Sequence, residues 1–183
     1  MKTIFTIIAV STLSLFQVSA QKYFTRSASI SFFSSTPVED IEASNHQVSC
    51  IVDLGTGQVA FSVLIKGFEF EKALMQEHFN DKYVESSKYP KAKFQGKITD
   101  GMASLSEQGE HAVTVEGDLT IHGVKKPWET NGTITIMEDK ILLNAVFDIE
   151  VSEFEIKIPG PVQKKVAEKV KTTVLAECKP FNK

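Results

Sequence analysis

Val113-Thr114-Val115-Glu116-Gly117-Asp118-Leu119-Thr120-Ile121-His122 decides the fold. Val113, Val115, Leu119 and Ile121 share one parity, while Thr114, Glu116, Asp118, Thr120 and His122 share the other. Successive side chains of a β-strand point to opposite faces, so this register buries one face and wets its reverse. The same period recurs on both sides. Ala28, Ile30 and Phe32 alternate with serines, and Phe94, Gly96 and Ile98 come just before the opening stretch. Val48, Cys50 and Val52 lead through Gly55-Thr56-Gly57 into Val59, Phe61, Val63 and Ile65, which reads as a hairpin. Further on, Ile134 and Ile136 follow Asn131-Gly132, read here as a tight turn that also spells a glycosylation sequon with Thr133. A second turn at Glu138-Asp139-Lys140 precedes Ile141, Leu143, Ala145, Phe147 and Ile149, and a last strand runs from about Lys171 to Cys178.

About eight strands with one apolar face each need an arrangement that hides that face and leaves few open edges. An antiparallel barrel closed on itself does so, and a two-sheet sandwich satisfies the same pattern. Two helical pieces interrupt the strands. Between Glu71 and Glu85, Leu74, Met75, Phe79 and Tyr83 recur at helical spacing, and Tyr89-Pro90 closes the piece, which is expected to cover one barrel mouth. Pro161 is expected to open a second short helix with Val162, Val166 and Val170 inward and Lys164, Lys165, Glu168 and Lys169 as a solvated face.

At the N-terminus, Lys2, the apolar runs Ile4–Val10 and Leu13–Val18, and the small residues Val18-Ser19-Ala20 have the form of a signal peptide, residues 1–20, cleaved ahead of Gln21. The run is shorter than the ~20 apolar residues of a spanning helix. A periplasmic or secreted protein is expected, with residues 21–183 as one domain large enough to bury a core. The formal net charge of −3 and the lack of a basic tract argue against nucleic acid as a partner. Cys50 and Cys178 both fall on apolar parity and would share an oxidising compartment, which leaves open a bridge or two buried thiols.

Two segments carry a family resemblance: Gly117-Asp118-Leu119-Thr120-Ile121-His122-Gly123-Val124-Lys125-Lys126-Pro127-Trp128, and Phe79 through Tyr89-Pro90-Lys91-Ala92-Lys93-Phe94. Both resemble the YceI family, the first its strand-and-turn run, the second its helix followed by a strand entry. Phe147-Asp148-Ile149, Phe154 to Pro159 and the closing strand fit the family's ending. The resemblance implies a lipocalin-like barrel, exported, holding a polyisoprenoid or other long lipid chain in its bore. This chain departs from the family in a shorter, less charged opening region around Ser27 to Thr36 and in Trp128.

The residues agree as far as they reach. A lipid tail needs a dry tube lined by Phe, Ile, Val and Leu, and each buried CH₂ contributes roughly 0.8 kcal/mol. The inward parity nominates Phe61, Val63 and Ile65, then Phe94 and Ile98, then Val115, Leu119 and Ile121, and finally Leu143 and Phe147 as lining. Phe68, Phe70 and Phe79 fall where a strand gives way to the mouth helix and suit an entrance. The same side chains would equally fill a solid barrel.

Chemistry-bearing patterns are lacking: no Gly-x-Ser-x-Gly elbow, His-Glu-x-x-His, Cys-x-x-Cys or phosphate loop occurs. His111 and His122 fall on opposite parities, His122 being read as a hydrogen-bonding anchor of the turn to Lys125-Lys126-Pro127. Glu153 and Glu155, alternating with Phe154 and Ile156, read as an outer strand face. The expectation is a binding protein, not an enzyme, with no metal, no cofactor and a long-chain isoprenoid or acyl lipid as cargo. A fatty-acid or fatty-amide carrier, and a solid barrel acting as an interaction module, are the alternatives; a homodimer through edge or mouth contacts suits either.

Overall fold

A computed structural model describes residues 22–181, so the segment read as a signal peptide lies outside the described residues. The elements are β1 (Lys22–Ser35), β2 (Asp40–Asp53), β3 (Gln58–Leu64), β4 (Phe68–Phe70), α1 (Ala73–His78), β5 (Lys91–Asp100), β6 (Gly109–Ile121), β7 (Val124–Ile136), β8 (Ile141–Glu150) and β9 (Lys169–Pro180). The sheet runs β1-β9-β8-β7-β6-β5-β3-β2, and β1 pairs again with β2, so eight antiparallel strands close on themselves. Closure removes both sheet edges, which is what a set of half-apolar strands requires. The three-residue β4 adds to β2 alone, at Ala43 to Asn45.

The two ends of the barrel differ. At the end where both chain termini of the barrel lie, Cys50, Val52, Ile98, Ile134, Ile141 and Cys178 are at most 2 % exposed and pack into a solid floor. Cys50 and Cys178 are free thiols in contact there. The hydrogen bond to Cys178, with burial, pushes the Cys50 thiol up. They reach each other because both β2 and β9 flank β1 where its register slips, between Thr25 and Ala28 on one side and Phe24 and Ser29 on the other.

Gly96 and Gly117 sit opposite each other on β5 and β6, and a Cβ on either would lie 2.4 or 2.3 Å from a backbone oxygen. Only glycine permits that approach. Gly132 has a related role, which corrects the expected turn at Asn131-Gly132. Both residues lie inside β7, Gly132 pairing with Val113 and with Ala145. A Cβ on Gly132 would come within 2.6 Å of the Asn144 carbonyl oxygen. The actual β6–β7 turn is His122-Gly123, where His122 takes a left-handed φ of 52°.

The opposite end is covered by connections. After β4, α1 passes at Phe79–Tyr83 into a wider π turn. The expected second helix is only a 3₁₀ segment, Gly160–Lys165, because Val166 is already extended and Val170 belongs to β9. Nor is Glu153-Phe154-Glu155 a strand: Val151–Phe154 is a 3₁₀ turn, and Phe154 is fully buried.

Candidate functional site

The apolar parity that closes the floor leaves space above it. A chamber of about 460 Å³ opens toward the covered end, and a second of about 120 Å³ lies deeper. Both are lined by Ile30, Val63, Ala92, Leu119, Phe147 and Val174, which makes them successive parts of one bore. The larger volume falls in the ~300–1,000 Å³ range of small-molecule sites.

The parity-nominated residues distribute along it. Val63, Ile65, Leu119, Ile121 and Phe147 line the outer chamber, as do Phe68, Phe70 and Phe79. Phe61, Phe94, Val115 and Leu143 line the deep chamber, with Val63, Leu119 and Phe147 common to both. Ile98 does not line the bore: at 2 % exposure it is part of the solid floor, two residues beyond the glycine pair that narrows the barrel.

The entrance is aromatic. Phe32 of β1 lies 5.3 Å from Phe68, 5.7 Å from Phe70 and 5.7 Å from Phe79 between ring centroids, and Phe70 and Phe79 are 5.0 Å apart. These separations are those of attractive tilted and edge-on ring pairs. The π turn matters here because it directs both Phe79 and Tyr83 at the bore. Burial pushes the Tyr83 phenol up.

Sequence reasoning missed several lining residues. Phe32 shows the right parity and could have been nominated. Trp128 was visible only as a departure from the family; it lines the deep chamber with its ring 5.5 Å from Phe147. Its indole Nε1–H is buried and finds no acceptor among the described residues. Ile156 and Ile158 come from the irregular connection after β8, where the alternation with Glu155 and Lys157 suggested a strand that does not form.

Charge gathers at the rim. Glu39, in the turn just before β2, accepts from Lys72 Nζ at 3.0 Å through Oε1 and faces Lys165 Nζ at 3.6 Å through Oε2. The Lys72 hydrogen bond, reinforced by the Lys165 charge, holds the Glu39 carboxyl below its usual range. Lys165 is therefore part of the rim, not a plain solvated face as expected. His122 is not bonded to the turn residues Lys125-Lys126-Pro127: its Nδ1 lies 3.2 Å from the Phe154 carbonyl oxygen and its Nε2 2.8 Å from Glu85 Oε2. It ties two connections together. Lys125 pairs with Asp118 at 2.8 Å on the outer wall. Among the described residues no three His, Cys, Asp or Glu side chains converge on a metal position, and no helix is long and apolar enough to cross a membrane.

A family model of the YceI-like domain matches residues 16–178. The chain belongs to the YceI family. Solved structures similar to this YceI chain include a polyisoprenoid binding domain from Saccharophagus degradans, 11% identical, with a TM-score of 0.75 over 88% of this chain and 99% of that one. BcnA of Burkholderia cenocepacia is 16% identical, with a TM-score of 0.68 over 82% and 95%. The YCEI protein of Campylobacter jejuni is 16% identical, with a TM-score of 0.60 over 76% and 85%. At these identities the likeness is one of fold. No curated protein matches the chain.

Proposed function

We propose that this YceI-family protein is an exported lipid carrier whose barrel holds one long apolar chain, a polyisoprenoid or a similar lipid. The observation that carries the reading is the continuous bore, lined by apolar side chains from the aromatic entrance to the deep chamber. Each buried CH₂ contributes roughly 0.8 kcal/mol, so a chain of a dozen carbons binds without any polar contact. The Saccharophagus degradans relative, described as a polyisoprenoid binding domain, supports the same class of cargo. A fatty acid or fatty amide fills the same space and is the second reading. The bore weighs against a solid interaction module, and the site's composition suits holding a chain more than transforming one.

Export follows from the pattern of residues 1–20 and predicts a mature chain beginning at Gln21. Native mass spectrometry of the protein from its own host, purified without detergent, tests both claims. The expected spectrum shows a chain starting at Gln21 with one releasable isoprenoid or acyl species. A protein that is empty, and remains empty after exposure to prenyl and acyl chains, would contradict the carrier.

A further inference from the structure

Among the residues lining the outer chamber are one carboxylate, Glu39, and two ammoniums, Lys72 and Lys165, and His78 is the remaining basic group. One carboxylate faces two ammoniums, each through a different oxygen, which leaves one positive charge in excess. Lys72 is 61% and Lys165 47% exposed, so their remaining N–H donors are open to another acceptor. Below the rim Ser34 Oγ accepts from the Ala167 N–H and Thr172 Oγ1 donates to the Val170 carbonyl, while the indole N–H of Trp128, which has no acceptor among the described residues, is a neutral donor. Within the outer chamber, an anionic group on a bound chain therefore meets ammonium charge at one place, between Lys72 and Lys165. The bore also limits length. A cavity of ~150 Å³ takes one benzene, or roughly 25 Å³ per carbon. On that scale chambers of about 460 and about 120 Å³ hold about twenty carbons.

We propose that the cargo is a single-chain amphiphile with an anionic headgroup, carboxylate or phosphate, and about twenty carbons, its head between Lys72 and Lys165 and its tail in the deep chamber beside Trp128. This rests on the carrier reading above and narrows it. Its competitors for the bore are neutral lipids of equal length, which gain the same apolar burial and nothing at the rim.

The test is calorimetric titration of the mature chain at low salt, below micelle formation, with two matched pairs: geranylgeranyl phosphate against geranylgeraniol, and palmitate against hexadecanol. Each anion is expected to bind about fivefold or more tightly than its alcohol, the size of a partly exposed ion pair. The preference should shrink as salt rises. Lys72→Met and Lys165→Met should each remove most of it, and Glu39→Gln should enlarge it. The anion with the larger preference over its own alcohol names the source of the headgroup. A forty-carbon polyprenyl phosphate should bind no more tightly than the twenty-carbon one. Equal affinity for anion and alcohol, variants that weaken both alike, or affinity that keeps rising beyond twenty carbons would each overturn the proposal. Failure of all four probes to bind would instead overturn the carrier reading beneath it.

Discussion

Asn45 is completely buried on β2, yet both polar atoms of its amide are bonded: Nδ2 donates to the Leu64 carbonyl at 2.7 Å, and Oδ1 accepts from the Gln47 N–H at 2.7 Å. It stands where β2 exchanges one partner, β3, for another, β4. Asn45→Ala leaves that carbonyl and amide unpaired, and should cost about 1–3 kcal/mol in denaturant unfolding. Glu39 makes a different prediction. Its carboxyl is lowered in the folded chain by the hydrogen bond from Lys72, so the stability it contributes is complete above the unfolded value near 4.5 and is lost as pH falls through the lower folded value. The melting temperatures of wild type and Glu39→Gln should differ at neutral pH and converge in acid. A gap that persists at pH 3 would contradict the ion-pair account. Neither role was legible in the sequence. Glu39, Lys72 and Lys165 lie far apart in the chain, and no local pattern says that one carboxylate will face both ammoniums. The parity of Phe61, Val63, Leu119 and Phe147, in contrast, is a local property, and the bore displays it.

At the level of elements, the wall is uneven. β6 and β7 pair over their full length, from Gly109 with Ile136 to Ile121 with Val124, and β8 and β9 pair from Ile141 to Glu150. Between them, β7 and β8 pair only from Gly132 with Ala145 to Ile136 with Ile141. Toward the mouth the two strands part, and Trp128, Phe147 and Phe154 occupy the seam, with ring centroids 5.5 and 6.5 Å apart from the indole. Phe154 belongs to the connection that His122 pins from the β6–β7 turn. Phe154→Ala should cost about 3–5 kcal/mol, with a red shift of Trp128 emission as water enters the seam. An unshifted spectrum and a loss under 1 kcal/mol would mean that the seam does not depend on this plug. The misread Asn131-Gly132 belongs to the same region. Asn-Gly is a strong hairpin signal on its own. What overrides it is the Asn144 carbonyl on a neighbouring strand, a contact that sequence neighbours of Gly132 do not reveal. The connection from Val151 to Glu168 was misassigned for a related reason: its local periods are overridden by scattered tertiary contacts, such as the Val151 N–H to the Glu168 carbonyl and the Ala167 N–H to Ser34.

Across the whole molecule, one apolar parity does two jobs. At one end small and β-branched side chains fill the barrel around the two thiols, and this floor supplies a fixed core. At the other end four phenylalanines pack against one another and line one side of a space they leave unfilled, under covers joined at Glu39 and at His122. The closed barrel was readable from alternation alone, since eight half-apolar strands leave few other solutions. Whether its interior is full or hollow was not, because it depends on how far facing side chains reach across the bore. Trp128 is the only tryptophan in the chain and lines the deep chamber, so its emission reports directly on what enters. The decisive measurement is titration of the mature protein with a long-chain lipid carrying a nitroxide quencher at its tail end. Quenching of Trp128 that saturates at one chain per protein, and is weaker when the nitroxide sits near the headgroup, is the predicted result. Emission that does not respond, or responds without saturating, would contradict a chain held inside the barrel.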